Sequence, residues 1–354
     1  MVPTTTYSGS APSVFIGSFR YPNVQVGPLM TDDLDLPTEW IMRGLTIEDI
    51  VQIRAQTLRG ITPQSRFISD LQELSLSRTP LTVDVSFEKA VVPDVLFDGT
   101  VSPIGLSAPI QKMEVTDNAK VDRVVDRVTS DSDMRATDGC LLLHDRGIDV
   151  YRITRLLSMG LLGQKRHIVP TRWAITATDD MIFSGLKQEF LNCTHIDGIR
   201  LFSATLYGNK IVCLFFPGDW RYEMIEVWGP QSLWGGLKGT IATDRERKRK
   251  ASYSPITGAY YSARLAVAEY LAKNDRTASV LIVRSISSAY WAPLGTWVIR
   301  EATRHALSTQ PRTFDTIDDA VAAASTEVGF SSWVNSSQLI PYLRTQKTLS
   351  YFSV

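Results

Sequence analysis

The sequence predicts an α+β protein, with a mixed, mainly antiparallel sheet packed against helices as one large domain that ends in a flexible C-terminal peptide. Three observations carry this expectation. "LTVDVSFE" alternates, setting Leu81, Val83, Val85 and Phe87 on one side as in a half-buried strand. "SVLIVRSI" is a continuous apolar run, as in a strand covered on both faces. Around them, segments of helical period are interleaved with hairpin signals in no regular strand–helix alternation.

Taken in order, "SVFIGSFRYPNVQVGPL" reads as a short hairpin or extended entry, broken by Pro22 and closed by Gly27-Pro28. In "TIEDIVQIRAQTLRG", Thr46 and Asp49 have the spacing of a capping box. Ile47, Ile50, Val51 and Leu58 form the stripe behind it, and Gly60 is the expected stop. "NAKVDRVVDRVTSD" gathers Val121, Val124, Val125 and Val128 on one helical face, with Arg123 and Arg127 off it. "IDVYRITRLLSMGLLG" does the same with Val150, Ile153, Leu157 and Leu161, leaving Arg152 and Arg155 together on another face.

"TRWAITATDD" is expected to be a strand running into a helix that begins near Asp179. From Gly198 to Trp228 the pattern predicts a three-stranded antiparallel meander, turning at Gly208-Asn209 and at Pro217-Gly218-Asp219. "RERKRKASYSP" is a charged loop, and "AYYSARLAVAEYLAK" a helix with Glu269 four residues before Lys273. "TIDDAVAAASTEVGF" supplies a last helix. The body is expected to span residues 1–344, with any subdivision near 115–135, and a flexible peptide to span 345–354.

Bulk properties narrow the function. The chain has 354 residues, 44% of them hydrophobic, and Lys plus Arg equals Asp plus Glu at 37 each, so attraction to nucleic acid must come from local patches. No run reaches the roughly 18 apolar residues of a membrane helix, and "MVPTTTYSGSAPSVF" lacks the marks of a signal peptide. Cys140, Cys193 and Cys213 are scattered and form no Cys-x-x-Cys, against a disulfide framework or structural zinc. A cytoplasmic protein without a membrane partner is expected.

Common cofactor and nucleophile motifs are absent. The chemistry must come from polar clusters. In "HDRGIDVYR", His144 and Asp145 could form an acid–base pair, with Arg146, Arg152 and a helix N-terminus holding an anion. The alternative is that Asp145 or Asp149 caps the helix. In "GQKRHIVPTRWAITATDD", Lys165, Arg166, His167 and Arg172 lie beside Trp173, a pattern that suits a nucleic-acid strand: charge for phosphates, a ring face for a base. Asp179 and Asp180 could hold magnesium against a phosphate, or cap a helix. A solvated turn with a core tryptophan is the competing reading. In "DWRYEMIEVWGP", Glu223 and Glu226 point to opposite sides of a strand, so one carboxylate needs a buried partner, with Arg172, Arg264 and Arg300 as candidates. The basic run Arg245 to Lys250 would contact phosphates without sequence preference, or simply be solvated.

The ending, "QKTLSYFSV", has its own pattern. Gln346, Leu349 and Phe352 occupy the first, fourth and seventh places of the peptide that binds the sliding clamp PCNA. A single 3₁₀ turn would set Leu349 and Phe352 side by side as a plug, with the Gln346 amide at the pocket edge. The usual motif has two adjacent aromatics; here Ser353 follows Phe352 and Tyr351 comes one place early.

"SVFIGSFRYPNVQVGPL", "GLLGQKRHIVPTRWAITATDD", "YYSARLAVAEYL" and "APLGTWVIREATRHAL" together resemble the archaeal Nre (NreA-like) DNA-repair proteins, over nearly the whole chain from about Ser13 to the tail. The resemblance implies a role at damaged DNA and recruitment by the clamp. Relatives often carry an N-terminal cysteine-rich, zinc-finger-like element that this sequence lacks, so no metal is carried over. It supplies no reaction. Two readings lead: a DNA-binding repair factor, in one form a nuclease or other DNA-processing enzyme that uses His144, Asp145, Asp179 and Asp180 with magnesium, or a non-catalytic adaptor linking the clamp to another repair protein; the absent cofactor motifs count against a third, a small-molecule enzyme with an incidental tail.

Overall fold

In a computed structural model, which describes residues 4–91, 105–232, 235–236, 238–247 and 252–345, the chain forms two compact units. The first is residues 1–185 with Ala292–Leu294, and the second is Leu186–Trp291 with 295–354.

The first unit carries a six-stranded sheet. Its strands are β1 (Thr4–Ala11), β2 (Ser13–Ile16), β3 (Gln25–Met30), β4 (Leu58–Pro63), β5 (Leu81–Val91) and β6 (Ser107–Val115), in the order β1-β5-β6-β4-β3-β2. β4 and β6 run parallel; the other neighbours are antiparallel. β5 buries Leu81, Val83, Val85 and Phe87 and exposes Asp84 and Glu88, as its alternation requires. The hairpin of β2 and β3 forms, but Gly27-Pro28 lies inside β3, where Gly27 gives room: a Cβ there would sit 1.8 Å from the Gly60 carbonyl oxygen.

Its helices are α1 (Pro37–Met42), α2 (Ile47–Gln56), α3 (Ile68–Leu76), α4 (Arg123–Ser130), α5 (Ala136–Asp145), α6 (Val150–Ser158) and α7 (Thr171–Phe190), the last passing into the second unit. The Thr46–Asp49 capping box starts α2 in both directions. The helix stops at Gln56, before Gly60, which lies in β4.

α7 corrects the expectation of a strand at "TRWAITATDD". Trp173 and Ala174 both donate to the Pro170 carbonyl, so the helix begins there and not near Asp179. Ala174, Thr178, Asp179, Ile182, Phe183, Leu186 and Phe190 form its buried stripe at helical spacing.

The second unit's sheet orders β10 (Thr240–Arg245), β9 (Arg221–Trp228), β11 (Ser279–Ile286), β8 (Asn209–Phe216), β7 (Ile199–Leu206) and β12 (Arg312–Phe314). β7 and β8 form the expected hairpin, with Tyr207 and Gly208 at positive φ of 48° and 72°. The meander fails at its third strand. β11 lies between β8 and β9, antiparallel to the first and parallel to the second. The reason is burial: seven of its eight residues are buried, which only a central strand allows.

Helices α8 (Thr257–Lys273) and α9 (Trp297–Ser308) pack together, and Tyr270 of α8 meets Phe202 and Phe215 at about 5.4 Å. Val212, Leu214, Ile225, Leu281 and Val283 instead share a core with α10 (Ile317–Val328), a 3₁₀ turn at Ser332–Ser336 and α11 (Leu339–Thr345). The α+β class, mainly antiparallel and helix-covered, is observed. Among the described residues, no helix is long and apolar enough to cross a membrane.

Candidate nucleic-acid interface

The predicted basic segment is a tight loop between α6 and α7. The Ser158 hydroxyl donates to the Val169 carbonyl at 2.7 Å, and the Val169 amide donates back to the Ser158 carbonyl at 2.9 Å, closing the loop at its base. Gly160, at φ +67°, lets it fold back: a Cβ there would lie 2.7 Å from the Arg166 carbonyl oxygen.

Inside this closure Arg166 turns inward. Its guanidinium donates to the carbonyls of Thr129 at 2.7 Å, Leu161 at 2.8 Å and Asp131 at 2.9 Å. That group fastens the end of α4 to the loop. Lys165 and His167 on either side are exposed, as are Arg172 and Trp173 in the first turn of α7.

Trp173 is 46% exposed and is not a core residue. Its ring meets Tyr21, itself 44% exposed, with centroids 5.1 Å apart and planes at 60°. Tyr21 belongs to the β2–β3 loop, whose base is tied to α7 where the Ile16 amide donates to the Thr171 hydroxyl at 2.9 Å. The same loop holds Phe19, 79% exposed, with the Arg20 guanidinium 5.2 Å from its ring centre. Two exposed aromatics in different chain segments thus meet, each next in sequence to an exposed arginine, Arg20 or Arg172. The sequence reading missed Phe19, Arg20 and Tyr21; the signal was two aromatics flanking an arginine in the proline-broken loop "SFRYPN".

The other predicted residues sit differently. His144 and Asp145 end α5 instead of preceding α6, with Nδ1 and Oδ1 3.8 Å apart, too far for a hydrogen bond. Asp149 is the cap of α6, its carboxylate accepting from the Arg152 amide at 2.8 Å. Arg152 pairs with Asp122 and donates to the Leu76 carbonyl, while Arg155 donates to the carbonyls of Pro12 and Ser77. Burial first, then the neighbouring Arg152, pulls the Arg155 pKa down to about 10. Both arginines are framework groups, not an open anion site.

Asp179 is buried in the middle of α7 and Asp180 faces solvent, about 100° round the helix. Neither caps a helix start, because that start is at Pro170. Among the described residues no group of three or more His, Cys, Asp or Glu side chains is placed to hold a metal.

Glu223 and Glu226 do point opposite ways and are both buried, but neither partner is among Arg172, Arg264 and Arg300. Glu226 pairs with Arg284 of β11, and Arg284 also donates to the Asn209 side-chain carbonyl at 2.9 Å from Nε. Glu223 accepts from the Ser337 hydroxyl at 2.5 Å and from the amides of Gln338 and Leu339 at 2.8 and 3.1 Å, anchoring the start of α11. Arg264 instead binds Glu246 at 2.8 Å, with Lys187 on the other carboxylate oxygen at 2.9 Å. Part of the basic run, residues 248–250, and the clamp-peptide residues Gln346, Leu349, Tyr351 and Phe352 lie outside the described residues.

The chain is similar to known proteins over most of its length. Residues 2–235 match the family model described as archaeal Nre, N-terminal, and residues 245–352 match archaeal Nre, C-terminal. The chain is 33% identical to DNA repair protein NreB of Archaeoglobus fulgidus, an alignment covering 97% of this chain and 90% of that protein. It is 32% identical to DNA repair protein NreA of the same organism, over 92% and 85% of the two chains. The same identity, 32%, relates it to DNA repair protein NreA of Haloferax volcanii, over 89% and 81%. No solved structure matches.

Proposed function

The chain belongs to the archaeal Nre family, and we propose that it acts in DNA repair by binding DNA on its first unit and docking on the sliding clamp through its C-terminal peptide. The names of its relatives support the repair role. The observation that carries DNA binding is the exposed Tyr21–Trp173 pair, next in sequence to the exposed Arg20 and Arg172, with Lys165 and His167 exposed in the loop that leads into α7. Cations there meet phosphates, and the ring faces offer bases a stacking platform. With zero net charge across the chain, the attraction is local and falls steeply with salt. Arg166 positions the loop and is not counted among the contacts.

A non-catalytic body has a specific observation in its favour. The sequence's acid–base candidates are spread over the end of α5 and both faces of α7, and Asp149 is consumed by capping. Lys165→Ala with Arg172→Ala should weaken DNA binding alike for all sequences and reduce the slope of log affinity against log salt by about 1.5–2. Fluorescence anisotropy across a salt series measures this. A folded double variant with the wild-type affinity and slope removes this surface and leaves the clamp-to-partner adaptor reading.

A further inference from the structure

The β2–β3 loop that carries Tyr21 also walls a cleft of about 750 Å³ in the first unit, within the roughly 300–1,000 Å³ typical of small-ligand sites. Arg59 of β4 and Arg20 of the loop both line it, and among the described residues its lining contains no carboxylate. Arg59 is half-buried, its guanidinium 4.4 Å from the centre of the Phe15 ring. Its Nε is buried without a hydrogen-bond partner, and among the described residues no carboxylate or carbonyl engages the group. Arg152, Arg155, Arg166 and Arg284 by contrast all have oxygen partners.

A half-buried cation without a counter-charge has already lost part of its hydration, so an arriving anion gains more from it than from a surface lysine. Burial shifts the Arg59 pKa down, yet an arginine keeps its charge at neutral pH. The same cleft is lined by Phe19, which is 79% exposed, and by Gln25 and Gln64. An aromatic face with amides at its rim is what an unstacked base requires.

We propose that this cleft takes one unpaired nucleotide of a DNA strand, its phosphate on Arg59 and Arg20 and its base against Phe19, within reach of Gln25 and Gln64. The inference rests on the DNA-binding reading above and deepens it: the strand that crosses Tyr21 and Trp173 sends one nucleotide into the neighbouring cleft. A paired base cannot enter without leaving its stack, so the cleft favours single-stranded ends and gaps over intact duplex.

The test compares a short oligothymidylate with a duplex of equal length, by anisotropy on the full-length protein. Arg59→Met keeps the apolar stem and removes the charge. It should weaken single-strand binding by about tenfold and leave duplex binding within about twofold. Lys165→Ala with Arg172→Ala should weaken both. If Arg59→Met has no effect while the loop variant does, the cleft inference is overturned and the surface reading stands. If only Arg59→Met acts, the surface reading falls and the cleft stands. Equal loss on both DNAs would make Arg59 an ordinary backbone contact and overturn the proposal. Should Arg59→Met fail to fold, wild-type protein photo-crosslinked to an oligonucleotide carrying 5-iodouracil decides. Attachment at Phe15 or Phe19 is expected; attachment confined to Tyr21 and Trp173 would leave the cleft to a protein segment instead.

Discussion

Arg166 offers the sharpest test, because its sequence neighbourhood and its contacts make opposite predictions. In "QKRHIVPTRW" it looks like a phosphate contact. In the fold its guanidinium reaches three backbone carbonyls, at Thr129, Leu161 and Asp131. Hydrogen bonds to a charged group each contribute about 1.5–3 kcal/mol when intact, but Arg166 is only half-buried, so water replaces part of what is lost. Arg166→Ala should therefore cost about 2–4 kcal/mol in the first unit. At about 2–4 °C per kcal/mol for a unit of this size, the thermal midpoint should fall by roughly 4–16 °C. Differential scanning calorimetry on Arg166→Ala and Arg172→Ala side by side reads the contrast. Arg166→Ala should lose stability and, at temperatures where it is folded, keep DNA affinity within a few-fold; Arg172→Ala should do the reverse. An Arg166→Ala protein that melts with the wild type but has lost DNA binding would refute the assignment of Arg166 to the framework.

Three further outcomes are expected. A peptide spanning the final residues should bind the sliding clamp in calorimetry, and Leu349→Ala with Phe352→Ala should weaken it by about two to four orders of magnitude, each plug side chain being worth roughly 1.5–3 kcal/mol; undiminished binding by the double variant refutes the plug. Glu223→Ala leaves the Ser337 hydroxyl and two amides at the start of α11 without their acceptor, and should cost about 3–5 kcal/mol in urea melts, whereas a loss below about 1 kcal/mol would mean the start of α11 finds other acceptors. Burial alone would raise the Glu246 pKa, but Arg264 and Lys187 outweigh it and hold the carboxyl below its ordinary value. Its contribution is then present above the unfolded-state carboxylate pKa and is lost as pH falls through the folded one, so the stability gap between wild type and Glu246→Gln should close on acidification; a gap that widens reverses the sign.

Local signals were legible and long-range ones were not. The Thr46–Asp49 box, the alternation of "LTVDVSFE" and the apolar run of β11 each act within a few residues, and each formed as expected. "TRWAITATDD" misled because Trp, Ile and three Thr favour strands, and because Asp179 interrupts a buried helical stripe that otherwise runs from Ala174 to Phe190. The partners of Glu226 and Glu223 lie 58 and 114 residues away along the chain, beyond any periodicity. The same holds for the interface. Arg172 and Trp173 were visible as a basic–aromatic stretch, but the meeting of Trp173 with Tyr21 spans the whole first unit and needed the fold.

The insertion of β11 sets an order for biosynthesis. As the chain leaves the ribosome, β7 and β8 can zip together, and so can β9 and β10, because each pair is close in sequence. Residues 279–286 must still emerge before the strand that bridges them exists. Until then β8 and β9 each present an unpaired edge of buried-type residues, the kind of edge that recruits foreign strands. One late strand covers both inner edges, so the second unit passes from two sticky hairpins to one joined sheet in a single event, and slowing synthesis between residues 245 and 279 should raise aggregation more than slowing it anywhere in the first unit.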